Sequence, residues 1–245
     1  MVALASGSRF LFVHGAWHGA WSFDLLRLEL DRRRVGSEAI DLPSLGDDPT
    51  PCVEATFDAG VEHIVDRLGT RRNWTLVGHS FGGFYVTEAA LRASGKVRNV
   101  VYLAGYVPNA GDDWKTINDL APATDEFRAS FRKDEDAKTL VLDAARAGKL
   151  LYHDVAPGIG AAACARLKPQ PVEPIDGAKI DGSAKVLEKI PRTAVIGDRD
   201  LVLRAADLTA LAVRAKVAIE KVPTGHCPFL SAPKRIADLL LGVKS

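Results

Sequence analysis

Trp74-Thr75-Leu76-Val77-Gly78-His79-Ser80-Phe81-Gly82-Gly83 is the stretch that organises the rest of the chain. A run of apolar and β-branched residues breaks off at Gly-x-Ser-x-Gly and passes into Phe84-Tyr85-Val86-Thr87-Glu88-Ala89-Ala90, spaced as a helix with small residues along one face. Strand, sharp turn and helix in that order are the setting of a nucleophile elbow, where a serine is held strained above a sheet edge. Gly78 and Gly82 stand where backbones come too close for side chains. Ser80 then projects beside the N–H groups that open the helix, donors that favour developing negative charge. The plainer alternative is a serine in a glycine-rich loop between core elements; the flanking strand and helix favour the elbow.

Upstream, Arg9-Phe10-Leu11-Phe12-Val13 is a short apolar run cut off by His14-Gly15, the pattern of a buried strand ending at a functional edge. A helix is expected from about Ser22 to Arg34 with Leu25, Leu26 and Leu30 inward. Its Arg32-Arg33-Arg34 end suits the negative helix pole, so that cluster reads as structural and not as a binding patch. A strand to Asp41 and a loop from Pro43 to Pro51 follow. Phe57, Val61, Ile64, Val65 and Leu68 then repeat at helical spacing, with Gly69 as the stop.

Downstream, Val97, Val100, Val101, Tyr102 and Leu103 mark another buried strand within Lys96 to Gly105. Arg192 to Gly197 reads as a strand, about Arg204 to Val213 as a helix, and Lys216 to Val222 as a strand. The closing helix carries Ile236, Leu239, Leu240 and Val243, with Ser231 placed to cap it. Strands alternating with helices imply an α/β fold, a mostly parallel wound sheet with helices on both faces. The rhythm breaks between Pro108 and Glu188, which hold a charged tract from Asp125 to Lys138, a Pro-rich piece from Lys168 to Pro174 and a Gly/Asp-rich piece from Asp176 to Gly182. We read an insertion over 108–188, mixing helices with one short strand near Lys149 to His153, and a core formed by 1–107 and 189–245.

A chain of 245 residues, 47% hydrophobic and 26% charged, suits one α/β domain with such an insertion. Lys plus Arg number 32 against 31 acidic residues, so no overall field recruits nucleic acid or an anionic membrane, and a small-molecule partner is expected. Cys52, Cys164 and Cys227 are odd in number and far apart, which argues against a disulfide framework and fits a reducing compartment. Met1 to Ser8 lacks a signal-peptide pattern and no run reaches membrane-spanning length; the expectation is a cytoplasmic protein needing no cofactor or metal. Oligomeric state is left open, a homodimer among the options.

A serine hydroxyl is a poor nucleophile at neutral pH and needs a base to take its proton and an acid to orient that base. The partners must lie at the edge formed by the carboxyl ends of the strands. Of six histidines, His63 sits on the surface of its helix, His79 is locked in the elbow, and His14 reads as a loop-ordering hydrogen-bonder. His226 follows the last strand behind Gly225 and completes the order Ser, Asp, His. Asp198 and Asp200 both follow the Arg192 to Gly197 strand. Asp200 is preferred, because the tight turn after Gly197 can aim it at His226 while Asp198 shapes the turn. The oxyanion donors are expected to be the N–H of Phe81 and that of Ala16, presented by the close turn at Gly15. Trp17, Trp21, Phe81 and Trp114 are candidates for an apolar substrate pocket, or for plain packing.

His14-Gly15, Gly78-His79-Ser80-Phe81-Gly82-Gly83, Gly197-Asp198-Arg199-Asp200 and Gly225-His226 together resemble the α/β-hydrolases, nearly end to end. More narrowly, Val13 to Trp21, Tyr102 to Pro108 and Leu151-Tyr152-His153-Asp154 are similar to the branch of plant methyl esterases, hydroxynitrile lyases and their bacterial relatives. The resemblance implies an α/β-hydrolase fold with residues 108–188 as a cap over Ser80. It also implies that a lyase would carry threonine at position 15 and lysine after the catalytic histidine; Gly15 and Cys227 stand there instead, which favours hydrolysis. Trp17 replaces the cysteine usual in the plant esterases, so plant-hormone esters do not follow as substrates. The expected reaction is hydrolysis of a small, largely apolar carboxylic ester through an acyl-enzyme on Ser80, with His226 as base and Asp200 as its orienting acid. The alternatives are the same triad on another bond (carbon–carbon hydrolysis, lactone opening, hydroxynitrile lysis or natural-product tailoring) or a ligand-binding protein on a hydrolase scaffold.

Overall fold

Apolar runs such as Phe10 to Val13 and Val100 to Leu103, 0–4% exposed, are buried on both sides as strands of one parallel sheet. The computed structural model describes residues 9–243; Met1 to Ser8, where the sequence lacks a signal-peptide pattern, lie outside the described residues. In chain order the first half comprises β1 (Arg9–Val13), α1 (Asp24–Arg32), β2 (Gly36–Ile40), α2 (Phe57–Leu68), β3 (Trp74–His79), α3 (Gly82–Arg92) and β4 (Val97–Leu103). The middle holds α4 (Trp114–Leu120), α5 (Asp125–Arg128), β5 (Phe131–Asp134), β6 (Thr139–Leu142), α6 (Ala144–Leu151), α7 (Pro157–Cys164), β7 (Gln170–Pro171), α8 (Glu173–Asp176) and α9 (Ala184–Leu187). The last part comprises β8 (Arg192–Gly197), α10 (Ala205–Arg214), β9 (Ala218–Val222), α11 (Pro228–Ser231) and α12 (Pro233–Gly242).

The six strands of the main sheet order as β2-β1-β3-β4-β8-β9, every neighbouring pair parallel. The chain first steps outward from β1 to β2 and then returns to the other side of β1 as β3, so the winding direction reverses at β1 and β3. Such a switch point opens a crevice at the carboxyl ends of the strands. Register keeps those ends level: Val13 pairs with Gly78, and Gly78 with Tyr102. Thr56 caps α2 by accepting from the Ala59 N–H at 3.0 Å, and Gly69, at φ +55°, ends it. At the end of α1, Arg33 bonds Glu29 one turn back and Asp238 on α12, which makes the basic cluster part of the packing. Among the described residues no helix is long and apolar enough to cross a membrane.

Three local expectations are corrected. Lys149 to Leu151 is not a strand but the end of α6, because Asp143 caps that helix, its side chain accepting from the Arg146 N–H at 3.1 Å. The strands between β4 and β8 are β5, β6 and β7, an antiparallel sheet whose hairpin lies inside and just beyond the charged tract. Ser231 does not cap the closing helix. It ends α11, Ala232 precedes α12 with Pro233 at its first position, and the Ser231 Oγ is buried without a hydrogen-bond partner among the described residues. The first helix also starts later than the periodicity suggests, after a 3₁₀ turn at Ala20–Phe23, and Leu25 is only partly buried.

Candidate active site

At the end of β3 the backbone of Ser80 adopts φ +52°, a conformation that L residues avoid, and enters α3 directly. The surroundings hold it there: the Ser80 carbonyl accepts from Gly83 N–H at 3.1 Å and from Tyr106 N–H at 3.2 Å. A Cβ on Gly78 would come within 2.5 Å of the Gly82 carbonyl oxygen, and one on Gly82 within 2.6 Å of that of Val13. Only glycine lets strand, turn and helix approach so closely at these two positions.

The loops after β8 and β9 bring Asp200 and His226 together. His226 Nδ1 lies 2.8 Å from Asp200 Oδ2, with side chains 2% and 0% exposed. The other carboxylate oxygen, Oδ1, accepts from the N–H groups of Val202 and Leu203 at 2.7 and 3.0 Å, which satisfies a buried charge that would otherwise be costly. Asp198 instead has its side chain 52% exposed, 3.9 Å from Arg199. Its backbone does shape the turn, donating to the Val222 carbonyl at 2.9 Å while Arg199 N–H donates to that of Thr224 at 3.1 Å. The residue before Ser80 carries the histidine loop: His79 Nε2–H donates to the His226 carbonyl at 3.0 Å, and the two rings lie 4.8 Å apart. Burial holds His79 neutral, its pKa well below the usual histidine value. The Ser80 hydroxyl itself forms no hydrogen bond among the described residues, so the link to His226 Nε2 is open. Serine–imidazole bonds of this kind commonly tighten only with substrate in place.

On the other side of Ser80 lies the loop after β1. His14 Nδ1–H donates to the Gly15 carbonyl at 2.8 Å and its Nε2 accepts from Leu42 N–H at 3.0 Å, both nitrogens being used to order the loop. Burial pushes its pKa down to about 4, so the ring is neutral. A Cβ on Gly15 would meet that of Ser80 at 2.7 Å, which is why the loop reaches the elbow at all. Neither the Ala16 N–H nor the Phe81 N–H donates to an acceptor among the described residues, and both residues line the cavity that contains Ser80.

That cavity, about 360 Å³, is walled by Trp17, Phe81, Tyr106, Trp114, Phe127 and Phe131. Trp17 and Phe81 come from the sheet edge and Trp114, Phe127 and Phe131 from the segment between β4 and β8. Trp114 stands edge-on to Phe81 and Tyr106, with centroids at 5.5 and 5.3 Å. Trp17 packs likewise on Phe127, and its Nε1–H donates to the Leu140 carbonyl at 2.9 Å. Phe127 and Phe131 escaped the sequence reading because they sit in the charged tract; their spacing of four across a helix end was the available signal. Trp21 is outside the wall: it stacks on His18, with the Arg166 guanidinium 5.0 Å from its ring. Among the described residues no group of three or more His, Cys, Asp or Glu side chains is arranged to hold a metal ion.

The family model described as the alpha/beta hydrolase family matches residues 10–239. Pheophorbidase of Raphanus sativus is 28% identical over 249 residues, covering 95% of this chain and 92% of its own length. Methylesterase 17 of Arabidopsis thaliana is 24% identical over 247 residues, covering 95% and 90%. The crystal structure of the methylesterase MES16 from Arabidopsis superposes with a TM-score of 0.81 at 22% identity, over 95% of this chain and 97% of that one.

Proposed function

This chain belongs to the alpha/beta hydrolase family and is a carboxylic ester hydrolase, and from that premise we propose that it cleaves a small, largely apolar ester by an acyl-enzyme route on Ser80. His226 Nε2 takes the Ser80 proton as Oγ attacks the ester carbonyl. The carbonyl electron pair moves to oxygen, and the N–H groups of Ala16 and Phe81 meet the resulting anion. Asp200 holds Nδ1–H of His226, fixing the tautomer and stabilising the imidazolium. Collapse of the tetrahedral species breaks the ester C–O bond, and the leaving alkoxide takes its proton from His226. Water then attacks the acyl group by the same path and releases the acid.

The observation that supports this reading is the buried Asp200–His226 pair, its histidine carbonyl accepting from His79 beside Ser80, with Ala16 and Phe81 lining the same cavity as Ser80. The six aromatic rings of the wall support an apolar substrate portion, while Asn118, Arg128, Lys133 and Asp176 also line the cavity. A cyanohydrin-cleaving role is disfavoured, since departing cyanide needs a cation. Cys227 is fully buried with its thiol pKa pushed far up, and Gly15 has no room for a side chain beside Ser80. The test is turnover of activated aryl esters by the purified protein and by Ser80→Ala: the wild type hydrolyses them and the variant does not, while a folded variant with unchanged turnover refutes the proposal. A panel of small methyl esters, lactones and cyanohydrins then ranks the bond types.

A further inference from the structure

The turn that follows α6 carries two side chains that leave the insertion and enter the catalytic loops. Tyr152, 5% exposed, places its hydroxyl 2.9 Å from His18 Nε2. His18 Nδ1 lies 2.8 Å from the Ala16 carbonyl, and since a carbonyl only accepts, the proton sits on Nδ1. Nε2 is then the acceptor and the Tyr152 hydroxyl the donor. Burial supports that assignment: the His18 pKa is pushed down to about 3, keeping the ring neutral, and that of Tyr152 is raised, keeping its proton in place. A chain of two hydrogen bonds thus runs from the insertion to the carbonyl of Ala16, which lines the cavity beside Ser80.

Two residues further on, Asp154 Oδ2 accepts from the Gly225 N–H at 2.6 Å. Gly225 immediately precedes His226, and the His226 carbonyl is held on its other side by His79 at 3.0 Å. The base is therefore pinned through its backbone from both directions, once from the elbow and once from the insertion. A Cβ at 225 would lie 2.5 Å from His153 Cε1 and 2.7 Å from Asp154 Oδ1, so a side chain there would push against the Asp154 carboxylate that holds this peptide. The two clamps also meet each other, Cys227 Sγ lying 3.9 Å from His18 Nε2.

We infer that Tyr152 and Asp154 are positioning residues: one turn of the insertion sets the oxyanion loop through His18 and the general base through Gly225. The inference rests on the esterase reading of Ser80 and His226. A peptide released from either clamp shifts by a fraction of an ångström to an ångström, and displacements of that size lower turnover without altering substrate contacts.

The experiment compares Tyr152→Phe, Asp154→Ala and Asp154→Asn with the wild type, using an aryl ester and counting active sites by fluorophosphonate titration. Tyr152→Phe and Asp154→Ala each lower kcat per titrated site by about tenfold with KM within about twofold. Asp154→Asn, whose amide oxygen can accept the same N–H, recovers kcat to within about twofold of wild type. A purely structural role would lower the titratable fraction and leave kcat per site alone, so unchanged kcat per site in Tyr152→Phe and Asp154→Ala overturns the inference. So does an Asp154→Asn as slow as the alanine variant. Tyr152→Phe keeps the ring's packing and decides the matter if Asp154→Ala does not fold. Ser80→Ala measured alongside separates the claims: retained turnover there overturns the esterase reading, whereas a dead Ser80→Ala with unimpaired Tyr152→Phe and Asp154→Ala overturns only the positioning role.

Discussion

Replacing Asp200 by asparagine changes one atom, and the surrounding bonds dictate how the new side chain must sit. Oδ1 of Asp200 faces two backbone donors, the N–H groups of Val202 and Leu203 at 2.7 and 3.0 Å. An amide at this site must keep its oxygen there, because turning it around would leave two buried donors opposite an NH₂ group. Its NH₂ group then points at His226 Nδ1, 2.8 Å from the native Oδ2. Nδ1 has to become an acceptor, the ring proton moves to Nε2, and the nitrogen meant to receive the Ser80 proton is blocked. Loss of the correct tautomer costs about 10⁴ in kcat, or about 5.5 kcal/mol in the barrier. Aryl-ester hydrolysis at neutral pH, normalised to folded protein by circular dichroism, measures the drop. Asp198→Asn is the control, and with its side chain half exposed it changes kcat by no more than about threefold. The reasoning is refuted if Asp200→Asn stays within tenfold of wild type, or if Asp198→Asn is equally impaired.

Three further outcomes rest on the same geometry. Gly15→Ala places a Cβ 2.7 Å from that of Ser80 and 3.0 Å from the His79 carbonyl oxygen, so both kcat and thermal stability fall, the latter by about 1–3 kcal/mol; full activity would contradict the contact. Ser231→Ala removes a buried hydroxyl that has no partner among the described residues and leaves the urea midpoint unchanged or slightly raised, whereas a loss above about 1 kcal/mol would contradict this. Stability falls as the pH drops below 6.5, because the folded-state pKa values of His14 and His18 lie at about 4 and about 3. Between those values and 6.5 the unfolded chain binds protons that the folded chain refuses, so each ring removes about 1.4 kcal/mol per pH unit on acidification. Urea midpoints at pH 7 and pH 5 check this, and equal midpoints would contradict it.

The sheet was legible because its signals are contiguous. The short apolar run from Phe10 to Val13 stops at His14-Gly15 as a buried strand does, and the turn from Gly78 to Gly82 is encoded by the residues that make it. That Asp200 and not Asp198 faces His226 was readable from turn length, since the side chain two residues further on clears the turn. The segment between β4 and β8 was not legible to the same degree. Leu150-Leu151-Tyr152 looks like a strand by composition, yet Asp143 had already committed the segment to α6, and the β5–β6 hairpin hides among charges that face solvent. Whether Trp21 lines the pocket or only packs could not be read from the sequence, because one apolar ring cannot be told from another until its neighbours, His18 and Arg166, are known. The partnerships of Tyr152 with His18, 134 residues apart, and of Asp154 with Gly225, 71 apart, are tertiary facts that no local pattern announces.

Most directly, intact-protein and peptide mass spectrometry after brief reaction with an activated aryl ester tests where the acyl group is carried. An added acyl mass on the peptide containing Ser80, decaying as acid is released and missing from Ser80→Ala, is the predicted result. An adduct on a different residue, or steady turnover by Ser80→Ala, would contradict it.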